Sequence, residues 1–229
     1  MKMITNGKLA LAGTRGMLQI ADADAPAIVP WYRAGGAPTP IAAYQAKGAA
    51  SLAASYVNLV NPGTNNLTAP SAAPTLDSAG WVFDGTSQYL LLSVYFKWYY
   101  TMICQFSNMT NNGYLMGVFS GYAIQPNRTG NVHRWAGQST VNVSPAYTQG
   151  NFCMVSNARG YINGSIDTSY NFSDAPLQTD AVYYFPIGAA NVSGSVSQFC
   201  ACKIQAVAFY TKGLSADEVS NVAAAMAAL

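Results

Sequence analysis

Between Pro38 and Tyr210 the chain never runs far without a turn signal, and this rhythm limits what it can fold into. Short stretches rich in Val, Ile, Tyr, Phe and Trp are cut off by Gly, Pro, Asn and Asp clusters. Residues 41–44 follow Pro40, residues 81–83 lead into Asp84-Gly85, and residues 102–106 run toward Asn111-Asn112-Gly113. Residues 89–100, 114–119, 141–143, 152–155, 161–162, 183–187 and 204–210 continue the series. Such pieces are too short for helices, and β-branched and aromatic side chains suit a pleated surface. Regular spacing with turn chemistry between the pieces predicts an all-β fold, an antiparallel sandwich or barrel.

Composition narrows the function. The 229 residues suffice for one generous domain, or a domain with an arm. Only 9% are charged, against about 25% in an ordinary soluble domain. Gly, Asn, Ser, Thr and 15 Tyr take the place of the missing charge, which argues against a coiled coil, a charged disordered tail or an ordinary helical enzyme. Eleven Lys and Arg against nine Asp and Glu leave a net charge of +2, too small and scattered for a nucleic-acid stripe. The uncharged residues 181–202 contain Pro186, Asn191, Gln198 and several serines, so no membrane-inserting helix is expected there.

Residues 1–37 differ from the rest. Gly13, Gly16, Pro26, Pro30, Gly35 and Gly36 break them, and short apolar pieces at 9–11 and 17–20 cannot bury a core alone. Two placements follow: an N-terminal extension that docks on a neighbouring molecule, or edge strands on the main domain, residues 38–229. Residues 1–16 surround their Leu-Ala patch with Lys2, Lys8 and Arg15, a poor signal peptide, so this end is not expected to direct export. Cys104, Cys153, Cys200 and Cys202 follow no secreted disulfide framework and no zinc spacing. Cys200 and Cys202 on a strand would share one face about 7 Å apart; buried free thiols are expected, with a disulfide or a metal as the alternative. Near the end, Ser215-Ala216-Asp217-Glu218 forms a capping box. Val219, Val222, Met226 and Leu229 then share one helical face, which predicts a short C-terminal helix packed on a sheet.

Four stretches in order resemble the laminin-G-like branch of the concanavalin-A-like lectin and glucanase superfamily. They are residues 41–65 with the Asn61-Pro62-Gly63 turn, residues 80–90 with Phe83-Asp84-Gly85, residues 159–164 with Tyr161-Ile162-Asn163-Gly164, and residues 204–219 ending in Leu214-Ser215 and Glu218. The resemblance implies a two-sheet antiparallel jelly roll with one short C-terminal helix. In residue terms, Asp84-Gly85 and Asn163-Gly164 supply positive φ for tight turns, with Phe83 and Tyr89 expected to face each other across the first. The Ala-, Ser-, Tyr- and Asn-rich texture is similar to such domains among structural proteins of tailed bacteriophages. That likeness implies a capsid-decoration, tail or fibre component of a virion, assembled in the host cytoplasm with other virion proteins and with copies of itself.

The chemistry-bearing residues favour contact over catalysis. Glycosidases need paired carboxylates across the scissile bond, but the sole glutamate, Glu218, lies in the helix cap. Asp22 and Asp24 are the only carboxylates two apart, beside Pro26. His133 is the only histidine, in a polar stretch that reads as surface or groove lining, so no hydrolase triad forms. No phosphate-binding glycine loop appears, and isolated aspartates do not suit calcium. No enzyme activity, cofactor or metal is expected. The candidate binding residues are Tyr95, Trp98, Tyr100, Arg128, His133, Arg134 and Trp135, cations and aromatics of the kind that meet sugar rings or a neighbouring subunit. A glycan- or receptor-binding adhesin module is the alternative to a virion part.

Overall fold

The computed structural model describes residues 29–94, 100–118, 122–136, 140–156, 159–168 and 184–229. In chain order, Trp31–Gly36 winds in 3-10 turns, β1 spans Ala42–Gln45 and α1 Leu52–Ser55. Next come β2 (Thr75–Asp77), β3 (Gly80–Val82), β4 (Leu90–Leu92), β5 (Thr101–Ser107), β6 (Met116–Val118), β7 (Tyr122–Arg128), β8 (Val132–Ala136) and β9 (Thr140–Val143). The remainder is β10 (Gly150–Val155), β11 (Arg159–Ile162), β12 (Ser165–Ile166), β13 (Phe185–Ile187), β14 (Ala190–Val192), β15 (Ser195–Ser197), β16 (Lys203–Tyr210) and α2 (Ala216–Ala227).

These strands make two eight-stranded sheets. The first runs β12-β11-β10-β5-β16-β3-β2, with β1 also paired to β16. The second runs β15-β14-β6-β7-β8-β9, with β13 joining β6 and β4. Pairing is antiparallel except between β14 and β6. The expected sandwich with one C-terminal helix is the observed architecture.

Two cores flank the first sheet because its central strands are apolar on both faces. On β5, Met102, Cys104 and Phe106 point between the sheets, while Ile103 points the other way. On β16, Val207 and Phe209 face inward and Ala206, Ala208 and Tyr210 outward. A register shift at Gln205 lets Ile204 also face the inter-sheet core. One extra residue in a strand resets the alternation in this way. The outer apolar face is covered by α2, whose Val219, Val222 and Met226 are buried, and by Trp31. Ser215 and Glu218 close the capping box from both sides, as the sequence predicts. Trp31–Gly36 lies against α2, and the Tyr210 hydroxyl donates to the Tyr32 carbonyl at 2.8 Å. Gly35 sits at φ +64°, where a Cβ would come within 2.3 Å of Asn221 Nδ2, so only glycine permits this approach. The arm pieces expected at 9–11 and 17–20 lie outside the described residues.

Several local expectations need correction. Asp84-Gly85 does not turn a hairpin: β3 belongs to the first sheet and β4 to the second, so the loop is a crossover. Phe83 and Tyr89 are therefore not cross-strand partners, and Tyr89 lies 6.2 Å from Phe199, centroid to centroid. Asp84 instead organises the loop, accepting from the amides of Thr86, Ser87 and Gln88 and from two hydroxyls. Asn163-Gly164 does make the two-residue turn, with Ile162 opposite Ser165 and φ of 51° and 81°. Residues 89–100 are not one strand, since β4 ends at Leu92 and β5 begins at Thr101. Cys200 and Cys202 do not share a strand face, because the chain bends there and brings their sulfurs to 2.6 Å. Strands β7 and β8 escape sequence reading because Gln125, Pro126, Asn127, His133 and Arg134 dilute their apolar pattern.

Trp81, fully buried, bridges β3 and α1 by donating its indole N–H to Ser55 Oγ at 2.7 Å. Replacing Trp81 by Ala is expected to destabilise the domain by about 4 kcal/mol, read from the midpoint of urea unfolding. Asp84 offers a pH test. Against some desolvation, the amides and hydroxyls around it hold its carboxyl well below the usual range. Its contribution is thus complete above about pH 4 and fades as pH falls further. Asp84→Asn should be less stable than wild type at pH 6, and the gap should narrow between about pH 4 and 2.

Candidate functional site

Strand β8 separates two chemistries by alternation. His133 and Trp135 point into the inter-sheet core, whereas Arg134 points outward with Gln125, its partner on β7.

The inward group is enclosed. His133 is 1% exposed and Trp135 is fully buried. His133 Nδ1 lies 2.7 Å from the Pro145 carbonyl, and Nε2 lies 2.8 Å from Asp167 Oδ2. Trp135 Nε1 donates to the same carboxylate oxygen at 2.9 Å. A carbonyl only accepts, so Nδ1 carries a proton, and a second proton lies between Nε2 and Oδ2. Trp135, Tyr147 and Phe152 pack edge-on around the imidazole at 5.4–5.9 Å. Gly160 gives the indole its room: a Cβ there would stand 2.3 Å from Trp135 Cε2. With both ring nitrogens engaged and no exposed face, His133 fastens β8 to the residues after β12. This corrects its reading as a surface or groove histidine, and likewise that of Trp135. Tyr100, 8% exposed, belongs to the same inter-sheet core. Tyr95 and Trp98 lie outside the described residues.

The outward group forms a pocket. Arg128, Arg134, Tyr114, Val192 and Gln198 line a cavity of about 140 Å³ on the outer face of the second sheet. Arg134 is held on two sides: Nε donates to Asn142 Oδ1 at 2.8 Å, and Nη1 to the Tyr114 hydroxyl at 3.2 Å. Burial pushes the Tyr114 phenol up, against the pull of Arg134 and Arg128 beside it. Among the described residues neither arginine has a carboxylate within ion-pair reach; the two ion pairs join His133 to Asp167 and Lys203 to Asp77. Two guanidinium groups, a phenol and a carboxamide around one small cavity suit an anionic or oxygen-rich group.

Of the sequence-derived candidates, then, the structure unites Arg128 and Arg134 and places Tyr100, His133 and Trp135 in the core. Tyr114, Val192 and Gln198 were not foreseen, because only sheet pairing brings β14 and the residues after β15 beside β6, β7 and β8. Asp167 was missed too, since no spacing ties it to a histidine 34 residues earlier. Among the described residues no group of three or more His, Cys, Asp or Glu is arranged to hold a metal ion. No helix there is long and apolar enough to cross a membrane.

No protein-family model matches the chain, and no curated sequence matches it. Solved structures do. The chain is similar to a mutant of Trypanosoma rangeli sialidase displaying trans-sialidase activity, with TM-score 0.56, 12% identity, and coverage of 79% of this chain and 32% of that one. It thus spans about a third of the sialidase chain. Domain 4 of a GH43 extracellular arabinanase from Geobacillus stearothermophilus, in complex with arabinotriose, aligns with TM-score 0.52 and 15% identity over 81% of this chain and 98% of that one. The botulinum neurotoxin serotype D binding domain aligns with TM-score 0.53 and 11% identity over 81% and 51%. These likenesses show a shared β-sandwich fold.

Removing the Asp167 carboxylate would take away the acceptor of the Trp135 indole N–H and the partner of His133 Nε2. Asp167→Ala should therefore cost about 3 kcal/mol in urea unfolding at neutral pH, well beyond the loss for an exposed aspartate.

Proposed function

We propose that this domain is a non-catalytic binding module that uses the Arg128–Arg134 pocket to grip an acidic group on a glycan of its target surface. The observation that carries this reading is the pair of guanidinium groups beside one cavity, neither with a carboxylate partner among the described residues. A cavity of about 140 Å³ is smaller than the roughly 300 Å³ at which pockets begin to enclose whole small molecules. It suits a carboxylate or sulfate with one edge of its sugar, the rest of the glycan lying across the outer sheet. Arg134, already braced by Asn142 and Tyr114, loses little freedom on binding. Of the five described carboxylates, Asp77 pairs with Lys203, Asp84 orders its loop, Asp167 holds His133 and Trp135, Glu218 caps α2, and Asp217 lies in the same first helical turn. The arabinotriose-bound arabinanase domain and the toxin binding domain share the architecture, which supports a contact role without specifying the ligand here.

A second reading rests on the scarcity of charge, 9% of residues. A neutral, Tyr-rich surface packs into repeated contacts without like-charge repulsion, as in a virion component that assembles in the host cytoplasm through its N-terminal extension and the sandwich surface, residues 31–36 of that extension being packed on α2. Both roles are compatible in an outer virion module.

An array of neutral, carboxylated and sulfated glycans tests the first reading. Retention of acidic glycans is expected, with Arg128→Ala and Arg134→Ala each weakening it about tenfold or more. Equal retention by both variants and wild type would remove the pocket from binding. Ordered oligomers in electron micrographs, without glycan retention, would favour the assembly role.

A further inference from the structure

We propose that Cys200 and Cys202 are an oxidisable pair that closes into a disulfide within its own bend. Their sulfurs stand 2.6 Å apart, roughly half an ångström beyond the covalent S–S length of about 2.05 Å. An extended strand would hold them far apart; here the backbone does the opposite. Asn111 clasps the bend, accepting from the Ala201 amide at 2.8 Å and donating to the Phe199 carbonyl at 2.9 Å. The Thr110 amide donates to the Ala201 carbonyl at 3.0 Å, and the Cys200 amide to Gly188 at 2.9 Å. The Phe83 amide then takes the Cys202 carbonyl at 3.0 Å. Five hydrogen bonds from three other segments thus hold both side chains on one side of a single residue. Cys104, on β5, belongs to the same inter-sheet core; Cys153 faces the helix side of the sheet.

Hydrogen peroxide is a sufficient oxidant, small and neutral enough to reach a buried site through local opening. The Cys202 thiolate attacks one peroxide oxygen, giving a sulfenic acid and hydroxide, which takes up the proton Cys202 released and becomes water. The Cys200 thiol then attacks the sulfenic sulfur, and its proton leaves with the displaced hydroxide as a second water. Both sulfurs are oxidised and the peroxide is reduced. Burial, reinforced by the neighbouring thiols, holds the Cys202 thiol well above its ordinary range, so closure is slow at neutral pH and quickens as pH rises. The bend also carries Phe199, bridged to Tyr114, and follows Gln198 of the arginine pocket, so its redox state bears on that pocket's rim.

Peptide mass analysis of the intact, folded chain decides the matter. The protein is exposed to hydrogen peroxide at mildly alkaline pH, denatured, labelled with N-ethylmaleimide and cut with trypsin. Cleavage after Lys97, Arg128, Arg134, Arg159 and Lys203 places Cys200 and Cys202 together in residues 160–203, Cys104 in 98–128 and Cys153 in 135–159. The expected product is peptide 160–203 lighter by two hydrogens and without maleimide, while the other two peptides keep one label each. Prior treatment with dithiothreitol should restore both labels, and Cys104→Ser should leave the product unchanged. Two labels on 160–203 at every peroxide exposure, or a cross-link between 160–203 and 98–128, would overturn the pairing. The wild-type measurement suffices even if a variant fails to fold.

Discussion

The antiparallel pairing of β5 with β16 is the contact on which the other layers rest. These strands sit mid-sheet and are apolar on both faces, so each must be covered twice, by the second sheet and by α2 with Trp31. A strand buried on both sides cannot show the alternation of a solvent-facing strand, which explains the nearly continuous apolar run of β16. The bulge at Gln205 then reconciles the two coverings, letting Ile204 and Val207 face the same core although three residues apart.

Much of this was legible in the sequence. The run of short β-prone segments gave the all-β class, and the Ser215–Glu218 box with its apolar face gave α2 and its packing. These signals are local, so they survive without knowledge of partners. Asn163-Gly164 turns the hairpin its sequence predicts because its neighbours in sequence are also its neighbours in the sheet. Asp84-Gly85 carries the same turn chemistry, but the strands it joins lie in different sheets. Turn residues fix backbone dihedrals; they do not decide which strands pair.

The site was half legible for a related reason. Arginines and aromatics close together along residues 128–135 marked the right strand, but not which side chain faced which way. His133 sits among polar residues in sequence and among Trp135, Tyr147 and Phe152 in space. The pocket residues Tyr114 and Gln198 come from segments that only the pairing of β6 with β7, and of β14 with β6, brings near, and Asp167, after β12, reaches His133 from the other sheet. Such long-range placement leaves no periodic trace.

The two faces of β8 also tie the fidelity of the pocket to that of the interior. A slip of the strand by one position would carry Arg134 inside and turn the imidazole and indole out to solvent. The cost of stranding a guanidinium among aromatic rings, and of exposing the indole and imidazole, disfavours that slipped arrangement. The inward aromatic cage thus acts as a proofreader for the arginine on the opposite face.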